Sequence, residues 1–192
     1  MGGWRPSNFS TETPRSFANR PLEFTFGTPT ILRPGEYTAG VDIAIGRYEV
    51  SAESGFGNII TYHEEYPEIN EVIGVWDDRA GVPSVTLSLV QGQQISITRV
   101  SATFTPVLTE LKTRLSAGLW EVGIDVRAGT YRVAADDVNM GYFVVFDGDT
   151  NKYIDRIVDS ENGLDNFVIT IKDREIIRVS GLAAVKLESL EK

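Results

Sequence analysis

The chain of 192 residues has no cysteine and only one histidine, His63. The lack of thiols excludes disulfides, thiolate catalysis and zinc ribbons. A single histidine excludes a metal site built from several histidines, and any Ser–His–Asp type of triad would depend on that one residue. We therefore expect no catalytic residues, no metal site and no cofactor, and we interpret His63 as an ordinary exposed or edge histidine.

Long apolar runs and an excess of basic residues are missing as well. No segment approaches the roughly 18 apolar residues of a membrane helix, and Met1–Ser10 lacks the apolar stretch of a signal peptide. The net charge is −9, from 18 basic and 27 acidic side chains, which disfavours binding to nucleic acid or anionic membranes. We expect synthesis in the cytoplasm without a signal peptide, and no membrane or nucleic-acid partner.

What the chain does contain is an internal repeat. Residues 35–50 and 118–133 both read Gly-x-aromatic-x-x-Gly-x-Asp-apolar-x-x-Gly-x-Tyr-x-Val, at an offset of 83 (118 − 35). Apolar runs with similar spacing follow each copy, and this agreement indicates duplication of one fold unit. The aligned segments are Val85–Leu89 with Phe167–Ile171, Ile95–Thr98 with Ile177–Ser180, and Val72 and Val75 with Ile154 and Ile157.

Alternating apolar residues, β-branched residues and closely spaced turn residues predict strands throughout both copies. The predicted fold is all-β, with two tandem small antiparallel β-sandwich or barrel modules after an extended N-terminal arm. The predicted boundaries are 1–32 for the arm, 33–104 for the first module, 105–115 for a linker and 116–192 for the second module. The leucine spacing in the linker fits a short helix, and a connecting strand is the alternative.

The glycines and the aspartate of each repeated stretch have a conformational explanation. The glycines are expected in turns where a positive φ is needed, and each aspartate is suited to accept hydrogen bonds from nearby backbone amides. The alternative is that the two aspartates line equivalent ligand sites. The residues assigned to these turns are Gly40, Asp42, Gly46, Gly123, Asp125 and Gly129.

Residues 120–131 resemble a module found in uncharacterised bacterial and phage proteins, written roughly as Tyr-x-Val-Gly-x-Asp-Ile-Pro-Ala-Gly-x-Tyr. Ile177–Ala184 is similar to the closing Leu-x-Leu-Ser-x-Ala segment of that module. The chain departs from the pattern at Ala44 and Arg127, where the family usually has proline. The resemblance implies small tandem all-β modules and provides no catalytic residues. Many such proteins carry a lipoprotein signal or an anchoring segment, which we do not expect here, and this departure favours a virion component over a cell-surface protein.

The first 32 residues are interpreted as a docking arm, because their apolar residues are widely spaced among prolines and polar residues. A disordered tail and an added strand are the alternatives. Residues 1–30 contain three arginines and two glutamates, a net of +1 (3 − 2), so the remaining chain carries −10 (−9 − 1). The residues expected to contact a partner are Trp4, Arg5, Phe9, Phe17, Phe24 and Phe26.

The favoured function is a non-enzymatic structural or assembly protein, specifically a phage virion component such as a capsid decoration or tail accessory protein. Its partners would be protein subunits of an assembly, including copies of the same chain. The alternative is a carbohydrate- or cell-envelope-binding module whose exposed aromatic residues stack on sugars. The candidate ligand-binding residues are Tyr66, Trp76 and Tyr153, of which Tyr66, beside Pro67 in an acidic loop, is expected to be the most exposed.

Two further interpretations concern residues near these candidates. Trp76 and Tyr142 are also explained as core residues. Asp147–Asn151 begins like a calcium loop, but Lys152 and Val158 stand where that loop needs glycine and glutamate. We therefore interpret this segment as a hairpin turn, with weak cation binding as the alternative.

Overall fold

The structure is a computed structural model that describes residues 27–64, 66–76, 79–136, 140–147, 153–159 and 166–191. Within these residues the chain forms strands joined by turns and loops, as the alternating apolar pattern predicts. The strands are β1 Thr30–Leu32, β2 Gly35–Thr38, β3 Gly46–Ala52, β4 Phe56–His63, β5 Tyr66–Trp76, β6 Arg79–Ala80, β7 Ser84–Leu89, β8 Gln94–Thr98, β9 Ala102–Pro106, β10 Arg114–Glu121, β11 Gly129–Ala135, β12 Met140–Phe146, β13 Tyr153–Asp159, β14 Asn166–Ile171 and β15 Ile176–Ser189.

The strands belong to two sheets, neither of which closes into a barrel. The larger sheet has ten strands in the order β1-β9-β3-β7-β10-β15-β11-β14, with β12 pairing both β15 and β13 beside this path. The smaller sheet has five strands in the order β2-β8-β4-β5-β6. Its strand β5 contacts β3, β7, β10 and β15 of the larger sheet. The all-β class is therefore confirmed, and the larger sheet runs through both the first half (27–106) and the second half (107–191) of the described chain.

The two halves are joined in this sheet by the parallel pairing of β7 with β10. The pairing is short, with Gly118 opposite Thr86. Gly118 has a φ of 131°, and a Cβ atom at this position would lie 1.9 Å from the Thr86 carbonyl oxygen. Glycine is required here because a side chain would push the two strands apart.

The long strand β15 divides its pairing between two neighbours on one edge. Its first part pairs with β12 and its last part with β11, while β10 follows its other edge. The change occurs around Gly181, whose φ is 72°. In the first half the corresponding segment is broken into β8 and β9, and Arg99 between them has a nearly identical φ of 71°.

The pairing of β12 with β13 corrects one part of the sequence alignment. Tyr142 lies opposite both Ser180 and Ile157, and Asn58 lies opposite both Thr98 and Val72. Ile157 therefore corresponds to Val72, three residues from the predicted match with Val75. The cause is a longer connection in the first half, which contains the extra strand β6.

The repeated stretches form the predicted turns. Gly40, Gly123, Gly46 and Gly129 have φ values of 83°, 97°, 148° and 156°. The Gly40 amide donates to the carbonyl oxygen three residues later at 2.7 Å, and the Gly123 amide does the same in the second copy at 2.6 Å. Gly40 and Gly123 thus lie in turns as predicted, whereas Gly46 and Gly129, predicted in the next turn, are the first residues of β3 and β11.

The aspartates and tyrosines of the two turns also make matching hydrogen bonds. Asp42 Oδ2 accepts the Thr38 amide at 2.8 Å, and Asp125 Oδ2 accepts the Glu121 amide at 2.8 Å. In each copy the tyrosine hydroxyl, of Tyr48 or Tyr131, donates to the carbonyl four residues earlier. The same sequence pattern therefore produces the same local structure twice.

Two predicted boundary segments differ from the structure. Thr30–Leu32, placed in the arm, is strand β1 and pairs with β9, because Leu32 packs into the first core while Ile31 faces solvent. The linker forms no helix: residues 107–113 have neither helical nor strand structure. Two of its amides, those of Val107 and Lys112, donate to the Arg47 and Asp125 carbonyl oxygens and so do not take part in a helix.

The buried residues form two apolar cores. The first core contains residues of the first half together with Ala117, Leu119 and Ile176 of the second half. The second core is built entirely from the second half, between β11, β14 and the β10-β15-β12-β13 strands. The β10-β15 region thus contributes side chains to both cores, one from each of its faces.

We expect Gly118→Ala to reduce the free energy of unfolding by about 3 kcal/mol, because the new methyl group meets backbone atoms of β7 and the positive φ is unfavourable. Gly92→Ala is the matched control, since Gly92 also has a positive φ, 81°, but nothing lies within 4 Å of its Cβ position. The control should lose only about 1 kcal/mol. Equal losses in urea unfolding would show that the close contact with β7 does not matter.

Candidate functional site

A buried ion pair lies where the two halves meet. Arg47 on β3 contacts Asp125, in the turn after β10, with 2.9 Å between Nη2 and Oδ2. The two side chains are 2% and 1% exposed. A charge this deeply buried needs a partner, since an isolated buried ion costs several kcal/mol.

Arg47 has further partners in both halves. Its Nη1 donates to Ser88 Oγ at 2.9 Å, and its Nη2 donates to the Leu119 carbonyl oxygen at 3.3 Å. The guanidinium carbon lies 5.2 Å from the centre of the Trp120 ring, within cation–π distance. One side chain of the first half therefore contacts the backbone, a carboxylate and an aromatic ring of the second half.

Asp125 and Asp42 occupy the same position in the two turns but have different surroundings. Asp42 is exposed, whereas Asp125 is buried against Arg47. Burial raises the pKa of the Asp125 carboxyl group, and the Arg47 guanidinium opposes that effect. The two aspartates therefore do not line equivalent ligand sites.

The linker closes over this ion pair. The Val107 amide donates to the Arg47 carbonyl oxygen at 3.1 Å, and the Lys112 amide donates to the Asp125 carbonyl oxygen at 2.7 Å. Arg47 and Asp125 themselves line a cleft here, whose other cationic residues are Lys112 and Arg114. These cations already have carboxylate partners, Glu110 at 3.2 Å and Asp136 at 2.5 Å. The cleft is thus a set of satisfied charges at the junction.

Tyr66 belongs to a second polar contact between the halves, and the expectation that it is exposed is wrong. It is 2% exposed, and its hydroxyl donates to Glu121 Oε1 at 3.1 Å. The predicted acidic loop is instead the start of β5, where Pro67 is tolerated because it lies near the strand end and opposite a bulge in β4. Tyr66 is therefore not available to stack on a sugar.

A third contact joins β5 to β15. Glu71 Oε2 accepts the Gly181 amide at 3.2 Å, and Arg178 Nη1 donates to the Glu68 carbonyl oxygen at 3.2 Å. Burial raises the pKa of the Glu71 carboxyl group, and its hydrogen bonds to Ser180 and Gly181 oppose that effect. Glu71 and Arg178 thus each form a hydrogen bond across the junction.

The hairpin of β12 and β13 carries apolar side chains that are exposed to solvent. On its outer face Met140, Tyr142, Tyr153 and Ile157 are 60%, 44%, 67% and 50% exposed, and we call these four residues the outer ribbon patch. Tyr142 and Ile157 are directly paired across the two strands, while their neighbours in sequence, Phe143 and Val158, are buried in the second core. The interpretation of Tyr142 as a core residue is wrong, because its strand position points it outward.

Several predicted site residues lie outside the described part of the chain. The segment 148–152 of the suggested calcium loop and the side chain of Trp76 are among them. The same holds for every residue expected to contact a partner through the arm, namely Trp4, Arg5, Phe9, Phe17, Phe24 and Phe26. Of the three candidate sugar-binding residues, Tyr153 is the one whose exposed position is described.

Other features of the described residues are few. His63 lines an open groove with Tyr62 and Gln94. No group of three or more metal-ligating side chains occurs among the residues that the structure describes. In the same part of the chain there is no helix of the length and apolarity needed to cross a membrane.

The sequence analysis missed the residues that join the halves, chiefly Arg47 and Glu121. A signal for Arg47 was present, because the repeat places Thr130 at the equivalent position (47 + 83). A charged residue in one copy and a small one in the other indicates that the two positions have different surroundings. For Glu121 the equivalent residue, Thr38 (121 − 83), gives the same signal.

Comparison with known proteins finds no counterpart: no family model, no curated protein and no solved structure matches the chain.

We expect Arg47→Met to reduce the free energy of unfolding by about 3–5 kcal/mol, because it leaves the Asp125 carboxylate buried without its cation. Adding Asp125→Asn should recover part of that loss, since the amide oxygen can still accept the Glu121 backbone amide without carrying a charge. The control is Arg132→Met, which removes an exposed pair with Glu188 and should cost no more than about 1 kcal/mol. Similar losses for the two arginine variants in chemical unfolding would contradict a structural role for the buried pair.

Proposed function

We propose that the chain is a non-enzymatic structural or assembly protein, made of two copies of one all-β unit joined into a single body. The observation that carries this proposal is the use of the buried ionisable groups. Arg47, Asp125, Glu121 and Glu71 all bond across the junction between the halves. Catalysis requires such groups to be free to contact a bound substrate. Arg47 and Asp125 do line the cleft at the junction, but they are 2% and 1% exposed and bind each other.

The two matching turns and the equivalent strand pairings support duplication of one unit. The continuous sheet across β7 and β10 and the contacts of β5 with β15 support a fixed relation between the units. A body of this kind provides a firm spacer with contact surfaces at its ends. We propose that the segment of residues 1–26 docks on a neighbouring protein subunit, which would explain its five aromatic residues.

The setting that we propose is a phage virion, with the chain as a capsid decoration or tail accessory protein. The resemblance of residues 120–131 to modules of bacterial and phage proteins supports this setting. An assembly role also fits a chain with net charge −9, which disfavours contacts with nucleic acid.

Incorporation into particles tests the proposal. The full-length protein is expected among the proteins of purified virions by quantitative mass spectrometry, and a variant lacking residues 1–26 should be depleted at least about tenfold. The truncation stops before Gly27 because Thr30–Leu32 is part of the larger sheet and Thr28 donates its amide to the Tyr48 hydroxyl. The depletion corresponds to losing about 1.4 kcal/mol of docking free energy.

Val41→Ser provides a control for handling and expression, because Val41 is a highly exposed turn residue. This variant should be incorporated like the wild type. Absence of the full-length protein from particles would refute the virion setting. Undiminished incorporation of the truncated chain would refute docking through the N-terminal segment.

The second candidate function is carbohydrate or cell-envelope binding, and the exposure of Tyr153 favours it. An exposed tyrosine on a sheet can stack on a sugar ring, and Tyr142 lies on the same face. A glycan array read with wild type and Tyr153→Ala distinguishes the two functions. A sugar-dependent signal that is lost in the variant would support the binding module, and the assembly role predicts no signal for either protein.

A further inference from the structure

We propose that the outer ribbon patch receives the N-terminal segment of a neighbouring copy of the chain, so that copies associate head to tail. The patch is the exposed face formed by Met140, Tyr142, Tyr153 and Ile157. This inference rests on the proposed assembly role and specifies both the receptor surface and the partner.

The fold does not require tyrosines at the two positions that dominate the patch. The hairpin of β4 and β5 occupies the equivalent position in the first half, where Asn58 pairs with Val72 as Tyr142 pairs with Ile157. Counting along the paired strands, Glu68 stands where the second half has Tyr153. Two exposed tyrosines therefore replace an asparagine and a glutamate on one face of equivalent hairpins.

Packing within the chain accounts for only part of the apolar face of β12. Val144 is buried, and Phe146 packs against the first core with Arg178 over its ring. Tyr142 and Tyr153, which flank these residues, remain 44% and 67% exposed. Clustered exposed apolar side chains of this kind mark interaction sites more often than ordinary surface.

The N-terminal segment has a composition complementary to the patch. It contributes aromatic residues and arginines with a net charge of +1, while the rest of the chain carries −10. Asp155 is exposed between Tyr153 and Ile157 and provides a carboxylate for an arginine. Tryptophan and arginine are the residues that most often dominate binding free energy, so we assign the contact to Trp4, Arg5 and Phe9.

The positions of the two surfaces place the patch within reach of an N-terminal segment, and the mixing experiment below distinguishes a neighbour's segment from the chain's own. The segment joins the body at Gly27, beside Tyr48 and next to the β1 end of the larger sheet. The patch lies seven strand intervals away along β1-β9-β3-β7-β10-β15-β12-β13, about 34 Å at about 4.8 Å per interval. Trp4 is 23 residues from Gly27 (27 − 4) and can reach as far as about 75 Å in an extended chain.

The outer edge of β14 is a less suitable receptor. This edge is equivalent to the edge of β7 that pairs with β10 within the chain. A strand of a neighbouring copy could therefore pair with β14 as β10 pairs with β7. The residues needed are absent, however, because Thr130 replaces Arg47 and Glu36 replaces Leu119 at the equivalent positions. A repeated junction would bury a carboxylate without the arginine that binds it.

Sedimentation velocity of the full-length chain tests the proposal. The wild type should associate as its concentration rises, and Tyr142→Asn combined with Tyr153→Glu should weaken association by about 30-fold. These replacements copy the first-half hairpin, so circular dichroism and thermal melting should match the wild type. Tyr62→Ala, on the exposed surface of the first-half hairpin, is the control and should associate normally.

A mixing experiment establishes that the contact is between molecules. Trp4→Ala combined with Phe9→Ala should also prevent association, and a mixture of this variant with the Tyr142/Tyr153 variant should form a one-to-one dimer. Each protein in the mixture then supplies the surface that the other lacks.

Three results would overturn the proposal: a monomeric wild type at about 100 µM, association that the Tyr142/Tyr153 variant retains, or no dimer in the mixture. Incorporation into virions separates these failures from failure of the assembly role. If removal of residues 1–26 still prevents incorporation, the assembly role stands and the receptor is a different surface or protein.

Discussion

The ion pair between Arg47 and Asp125 is the interaction on which the join between the two halves depends. The direct backbone pairing of β7 with β10 is short and requires a glycine, so it provides little stability alone. The ion pair adds a charged contact whose two members are each unfavourable without the other. Since the linker amides bond to the carbonyl oxygens of these same two residues, the position of residues 107–113 also follows from the pair.

The two turns show how one sequence pattern serves two purposes. In both, the aspartate accepts a backbone amide four residues earlier, and this bond forms whether the carboxylate is exposed, as in Asp42, or buried, as in Asp125. Among the described residues only the second aspartate is paired with an arginine, Arg47, which comes from a variable position of the motif in the other half. The shared positions of the repeat therefore specify the same local structure twice. Whether a shared residue also joins the halves, as Gly118 and Asp125 do, depends on the residues that it meets elsewhere in the chain.

This division explains what the sequence could predict. Alternation and turn residues are local signals, and they correctly gave the all-β class, the glycine turns and most of the strands. The burial of Tyr66 and the non-helical linker depend on groups that are distant in sequence, Glu121 in one case and the Arg47 and Asp125 carbonyl oxygens in the other. The difference between Arg47 and Thr130 indicates that these equivalent positions have different surroundings, but no local pattern identifies Asp125 as the partner of Arg47.

In a protein built from two similar units, each unit packs against the other on one side only. Equivalent surfaces away from that contact can therefore differ in sequence. The hairpin of β4 and β5 lies next to the junction, where β5 packs on β15, and it carries Asn58 and Glu68 at the positions of the two exposed tyrosines of the other hairpin. The hairpin of β12 and β13 carries the exposed tyrosines, and on the same face of β12 Phe146 packs against the first core. If both hairpins carried these exposed tyrosines, each molecule would offer two receptors for a single N-terminal segment. With one receptor and one segment per copy, association is directional, which a head-to-tail assembly requires.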